Sequence, residues 1–266
     1  MGRNDPPEIR DEFTEMTIVR LTAAAGMALV LTGMAEEATA AVALDRTRVI
    51  FDGAAKSVSL RITNENKTLP YLAQGWIEDA QGKKITDPLV MLPPVQRIEP
   101  GEQSQLKVQS TSGIQRLPKD RETLFYFNLR EIPPKSSKPN TLQLALQTRI
   151  KLFYRPPAIE VKRTDYATPF QEQVTLTRSG DKYRVNNPTP YYISLVNASS
   201  TATGKAAAGF KPVMVEPKGQ LELLPSASAL GGAPVLTYVN DFGGRAKLVF
   251  SCGGSECRAV PQDKKK

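Results

Sequence analysis

Histidine is absent from this 266-residue chain, and there are only two cysteines and one tryptophan. Without histidine, neither a Ser–His–Asp nor a Cys–His arrangement can be built. Mixed His zinc sites are excluded for the same reason, and two cysteines cannot close a tetrahedral site. Phosphate- and dinucleotide-binding glycine fingerprints are also missing; the glycines fall in turns. None of the carboxylates sits in a context that suggests acid–base work. These absences argue against an enzyme, a cofactor and a bound metal. Net charge is +8, but the basic residues are spread out and only Lys264–Lys266 form a run. No stripe of basic residues with interleaved aromatics invites nucleic acid.

Long apolar runs are lacking as well. The longest, Leu21–Leu31, falls short of the roughly 20 residues a spanning helix needs. It follows Arg20 and precedes Ala38-Thr39-Ala40, an A-x-A cleavage site, so residues 1–40 read as a signal peptide cut between Ala40 and Ala41. The acidic stretch before Met16 is unusual for a leader, which leaves Met1 and Met16 both open as the start. In an exported protein, Cys252 and Cys257 read as one disulfide closing a short loop around Gly253-Gly254. The competing redox reading is weaker because the spacing is not C-x-x-C.

What is abundant is punctuation: 21 prolines and 18 glycines favour short strands with sharp turns. From Ala41 onward, apolar residues recur at every second position, as in Val58/Leu60/Ile62 and Leu106/Val108. Turn chemistry separates them at Asn64–Lys67, Gln81-Gly82 and Pro100-Gly101. Trp76 is expected in the core of the third strand. Pro156-Pro157 marks a boundary, after which a second series of short strands runs from Val174 to Phe250. The expected fold is all-β, with two sandwich domains of residues 41–157 and 158–266.

One stretch stands apart. In Thr141–Pro156, Leu142, Leu144, Leu146, Ile150 and Leu152 alternate with Gln143, Gln147, Arg149 and Lys151, a strand pattern. Prolines on both sides suit an edge strand. Exposed leucines on an open edge are an aggregation hazard, unless that edge is the working surface. An ordinary sandwich strand with one buried face is the alternative.

LQTRIKLFYRP (Leu146–Pro156), LDRTRVIFDG (Leu44–Gly53), PYLAQGWIE (Pro70–Glu78), PPVQRIEPG (Pro93–Gly101) and DRETLFYFNLREIPP (Asp120–Pro134) together resemble the PapD-like periplasmic pilus chaperones. NPTPYY (Asn187–Tyr192) and YVNDFGG (Tyr238–Gly244) extend the match into the C-terminal half. The resemblance implies two immunoglobulin-like β-sandwich domains in a boomerang arrangement, a periplasmic location, and partners in pilus or fimbrial subunits and an outer-membrane usher. It implies that Leu142, Leu144 and Leu146 are donated to a subunit groove. It also implies that Arg48 and Lys151 anchor the subunit's C-terminal carboxylate, and that Glu122, Arg155 and Asp241 fix the angle between domains. By themselves, Arg48 and Lys151 read as solvated strand residues. Strict alternation places Lys151 on the face opposite the leucines, which calls for either a bulge near Thr148–Ile150 or an anchor on the cleft side. A secreted spacer module is the rival function, and self-association of the free chain is left open.

Overall fold

The computed structural model describes residues 40–261; the expected leader, Met1–Thr39, lies outside them. Alternating side chains sort themselves as the pattern requires. In β3 (Ser57–Asn64) Leu60 and Ile62 are buried, and in β8 (Gln103–Ser110) Leu106 and Val108 are. With β1 (Val42–Leu44) and β6 (Leu89–Leu92) these strands form one sheet, in the order β1-β3-β8-β6. The facing sheet contains β2 (Arg48–Asp52), β4 (Tyr71–Asp79), β5 (Lys84–Ile85), β7 (Val95–Ile98), β9 (Thr123–Ile132) and β10 (Gln147–Arg155). Its order is β2-β10-β9-β4-β5, with β7 also on β4. Val49, Phe51, Ile77, Phe127 and Leu152 from this sheet meet Leu60, Ile62 and Leu106 from the other in one core.

The second domain contains β11 (Thr175–Ser179), β12 (Lys182–Asn186), β13 (Ile193–Ser199), β14 (Val213–Val215), β15 (Gln220–Ser226), β16 (Val235–Val239), β17 (Arg245–Gly253) and β18 (Glu256–Val260), with one short helix, α1 (Ala227–Leu230). Its strands are hydrogen-bonded in one continuous order, β14-β13-β16-β17-β18-β11-β12-β15. Laid flat, eight strands would span roughly 30 Å at the usual strand spacing. Yet Val215 of β14 and Leu223 of β15, from opposite ends of the order, lie in the same core. The sheet must therefore fold over on itself, and two sandwich layers result. The two cores share no residue, and both belong to one compact unit beginning at Ala40. Among the described residues the protein is all-β apart from α1 and short 3-10 turns, in two immunoglobulin-like domains. Cys252 and Cys257 face each other across β17 and β18 and are joined as a disulfide.

Three sequence expectations need correction. The strand expected over Thr141–Pro156 is regular only from Gln147 to Arg155. Its partner β9 ends at Ile132, and Pro133-Pro134 supply no amide donors beyond it. Of the preceding stretch, Leu146 still accepts a bond from the Glu131 amide, at 3.0 Å. Second, β10 is an edge over half its length only. Parallel β2 pairs with Lys151–Arg155, whereas Gln147–Ile150 pair with β9 alone. Third, Trp76 is not a core residue. The core side of β4 is taken by Ala73, Gly75 and Ile77, so Trp76 faces outward, half-buried, and donates its indole N–H to Glu78 Oε1 at 2.8 Å.

Candidate functional site

The outer face of the second sheet carries the odd-numbered residues of β10. Register with β9 runs unbroken from Gln147 to Tyr154, so no bulge shifts Lys151 onto the leucine side. Lys151 therefore sits on the face that meets the second domain, opposite the parity of Leu142, Leu144 and Leu146. The parallel register sets Arg48 of β2 directly beside Lys151. Two cations at neighbouring positions on one face result from the β2–β10 pairing.

Neither is the solvated residue expected from sequence: both are half-buried. Arg48 donates from NH1 to the Val239 carbonyl at 2.9 Å. Lys151 donates from Nζ to Ser194 Oγ at 3.0 Å. Each thus reaches across to the second domain. The guanidinium of Arg48 also lies 6.0 Å from the Phe153 ring centroid, and Phe153 packs on Tyr192. Burial pulls the Arg48 pKa down, with partial compensation from the Asp241 and Glu122 charges. Burial, and then the neighbouring Arg48 charge, push the Lys151 ammonium down to about 8. Arg48 Nε is buried without a hydrogen-bond partner. The chemistry open to two such adjacent cations is to hold an anion, since a carboxylate can accept short charge-assisted bonds from both.

Behind this pair lies a buried ion group. Arg155, at the end of β10, donates from Nε and NH2 to Glu122 Oε1 at 2.9 and 2.8 Å. It also donates from NH1 and NH2 to the Asp241 carboxylate at 2.8 and 3.2 Å. Glu122 Oε2 accepts the Tyr192 amide at 2.8 Å, and the Glu122 amide donates to the Pro190 carbonyl. Glu122 and Arg155 are 4% and 6% exposed. The Arg155 guanidinium lies 4.9 Å from the Tyr191 ring centroid, and Tyr191 stacks on Phe170. The trio joins the domains, because Glu122 and Arg155 come from the first and Asp241 from the hairpin turn of the second. That turn approaches closely. Gly243 has φ +85°, and a Cβ there would collide with Thr47 Oγ1.

Leu142, Leu144 and Leu146 are 83%, 67% and 41% exposed and lie in the stretch of chain that immediately precedes β10. Arg48 and Lys151 are thus brought together, as are Glu122, Arg155 and Asp241, while the leucines lie apart, in the stretch before β10. Sequence reasoning missed the second-domain partners Ser194, Val239 and Tyr192. Tyr192 lies in the NPTPYY motif and Val239 in YVNDFGG, so the motifs marked the region without revealing what it touches.

Comparison with known proteins bears on this arrangement. Residues 41–160 match the family described as "Pili and flagellar-assembly chaperone, PapD N-terminal domain". Residues 169–250 match "Pili assembly chaperone PapD, C-terminal domain". The chain is 52% identical over 240 residues to the probable fimbrial chaperone YfcS of Escherichia coli K12, covering 90% of this chain and 94% of that one. It resembles the crystal structure of the periplasmic chaperone SfaE with a TM-score of 0.60 at 30% identity, over 78% of this chain and 98% of that one. It also resembles the Salmonella enterica SafA pilin in complex with the SafB chaperone, with a TM-score of 0.64 at 28% identity, over 79% and 96%. Two family matches in domain order, over residues 41–160 and 169–250, place this protein in the PapD-like family of pilus-assembly chaperones, which are not enzymes.

Proposed function

We propose that this chain captures pilus or fimbrial subunits in the periplasm by lending them its β10 edge, holds their C-terminal carboxylate at Arg48 and Lys151, and passes them to an outer-membrane usher. One juxtaposition carries the reading: an edge left open before β2 begins, three exposed leucines in the stretch leading into it, and two adjacent cations at its inner end. Strand addition draws affinity from main-chain hydrogen bonds and specificity from alternate side chains, and chaperone–pilin pairing is itself an example of it. Leu142, Leu144 and Leu146 supply the alternate side chains, and the cations define where the subunit chain must end. The relative solved with a pilin is consistent with such a partner. In this scheme Glu122, Arg155 and Asp241 hold the two domains at the angle the subunit requires, and residues 1–40 are removed on export.

A pull-down from periplasmic extract tests the reading. The chain is expected to bring down a pilin-sized partner; a sandwich serving only as a spacer brings down none. Capture also carries a pH signature. A carboxylate anchor needs a protonated Lys151, whose pKa in the free chain is about 8. Subunit affinity is therefore expected to fall as pH rises above 8. Stability of the free chain moves the other way. An unfolded lysine titrates near its ordinary value of 10.5, so between pH 8 and that value the unfolded chain holds more protons and the Lys151 contribution to stability rises with pH. Measuring capture and unfolding from pH 7 to 10 separates the two; capture that does not change with pH argues against Lys151 as the anchor.

A further inference from the structure

The open half of β10 has a second feature, on the face away from the core. Where β2 no longer flanks the strand, side chains cross from β10 to β9 and β4. Arg149 donates from Nε to Glu78 Oε2 at 2.8 Å, and its guanidinium lies 3.4 Å from the Tyr126 ring centroid. Glu78 uses its other oxygen for the Trp76 indole. Next along the strand, Gln147 donates to Asn128 Oδ1 at 2.9 Å and accepts from Arg130 NH2 at 3.2 Å. Arg130 in turn lies 5.2 Å from the Trp76 ring centroid.

The geometry points to Arg149 as a positioning residue that holds the uncovered half of β10 in register, a role that rests on the function proposed above. A strand flanked on one side only, with leucines outside the ladder, is weakly specified in register. A slip of one residue turns every side chain to the other face. It would present Gln143 and Gln147 where the leucines belong, and would shift the donor residues by about 3.3 Å relative to the Arg48–Lys151 pair. Arg149 opposes such a slip because its contacts are specific to one register. Its planar fork must meet Glu78 two strands away while lying against Tyr126 on the intervening strand. A lysine provides the charge without the plane. This bracing takes nothing from the core, since every contact is on the outer face.

The test compares Arg149→Ala and Glu78→Gln with the wild-type chain by amide hydrogen exchange, thermal unfolding and capture of the pilin that co-purifies with the wild type. Losing a stacked, half-exposed ion pair is expected to speed exchange at residues 147–150 and weaken capture, each about tenfold for Arg149→Ala and less for Glu78→Gln. Residues 151–154, flanked by strands on both sides, serve as the internal reference and should be unchanged. The thermal midpoint should move by no more than about 4 °C. Unchanged exchange at 147–150, wild-type capture, or equal acceleration along the whole of β10 each overturns the assignment. If the wild-type chain brings down no pilin, the proposed function itself fails, and the exchange pattern still decides whether Arg149 braces the edge.

Discussion

Replacing Arg155 with Ala is expected to loosen the junction between the domains without dissolving either one. The guanidinium makes four hydrogen bonds, to Glu122 and Asp241. Its loss leaves Glu122, 4% exposed, with a single backbone donor for its carboxylate and no hydrogen-bonded cation. Breaking a buried ion pair from one side typically costs about 3–5 kcal/mol, because the remaining charge stays desolvated. That cost is avoided if the interface opens and lets water reach Glu122 and Asp241. Opening is open to this protein because the two cores share no residue. The exposed Lys218–Asp120 bridge would not hold the junction by itself, since such pairs contribute roughly 0–1 kcal/mol. Small-angle scattering should show a wider spread of domain orientations, and subunit capture should fall with it. Arg155→Lys should rescue little, because an ammonium has three donors and no plane and cannot reproduce the four bonds of the guanidinium. Scattering and unfolding profiles identical to the wild type would remove the hinge role.

The second large effect separates the anchor from the donor stretch. Lys151→Ala takes one cation from a partly desolvated pair, and a subunit carboxylate seated there would lose a charge-assisted bond. Truncating one member of such a buried pair costs about 2–5 kcal/mol of binding, so capture should weaken roughly 30-fold or more. The free fold should change little: one hydrogen bond to Ser194 is lost, and the burial penalty on the ammonium disappears with it. Arg48→Ala should behave similarly. Leu144→Glu acts elsewhere, placing a charge where a subunit groove expects an apolar side chain. At 67% exposure, Leu144 contributes no core contact, so stability should stay within about 0.5 kcal/mol while capture drops. Side-by-side capture and thermal unfolding decide the matter. Normal capture by the two cation variants discards the anchor, and unfolding of the chain by Leu144→Glu discards the donor assignment.

Much of this was legible in the residues themselves. A period of two fixes which side chains of one strand share a face, so the parity that separates Lys151 from the leucines could be read directly. The short strands, the turns at Asn64–Lys67 and Gln81-Gly82, and the pairing of Cys252 with Cys257 followed from local chemistry and from having only two thiols. The absence of histidine removed whole classes of catalysis without any coordinates. The roles assigned to Arg48, Lys151 and the Glu122–Arg155–Asp241 group came from resemblance alone, since a lone charge in a strand pattern looks the same whether it is solvated or paired.

Tertiary structure decided the rest. Alternation says which residues share a face but not which face meets the core, and Trp76 shows the limit. A core tryptophan on the third strand suits a sandwich domain, yet Ala73, Gly75 and Ile77 took the inner side, and the indole found Glu78 outside. Local pattern also cannot say who lies beside a strand. The parallel β2–β10 register puts Arg48 next to Lys151 across about a hundred residues of chain, and the bond from Arg48 to Val239 spans 191. Where β2 begins determines which half of β10 stays open, and no residue within β10 records that. Composition and periodicity are properties of neighbours in sequence; a cleft, a buried ion group and an open edge are made by neighbours in space.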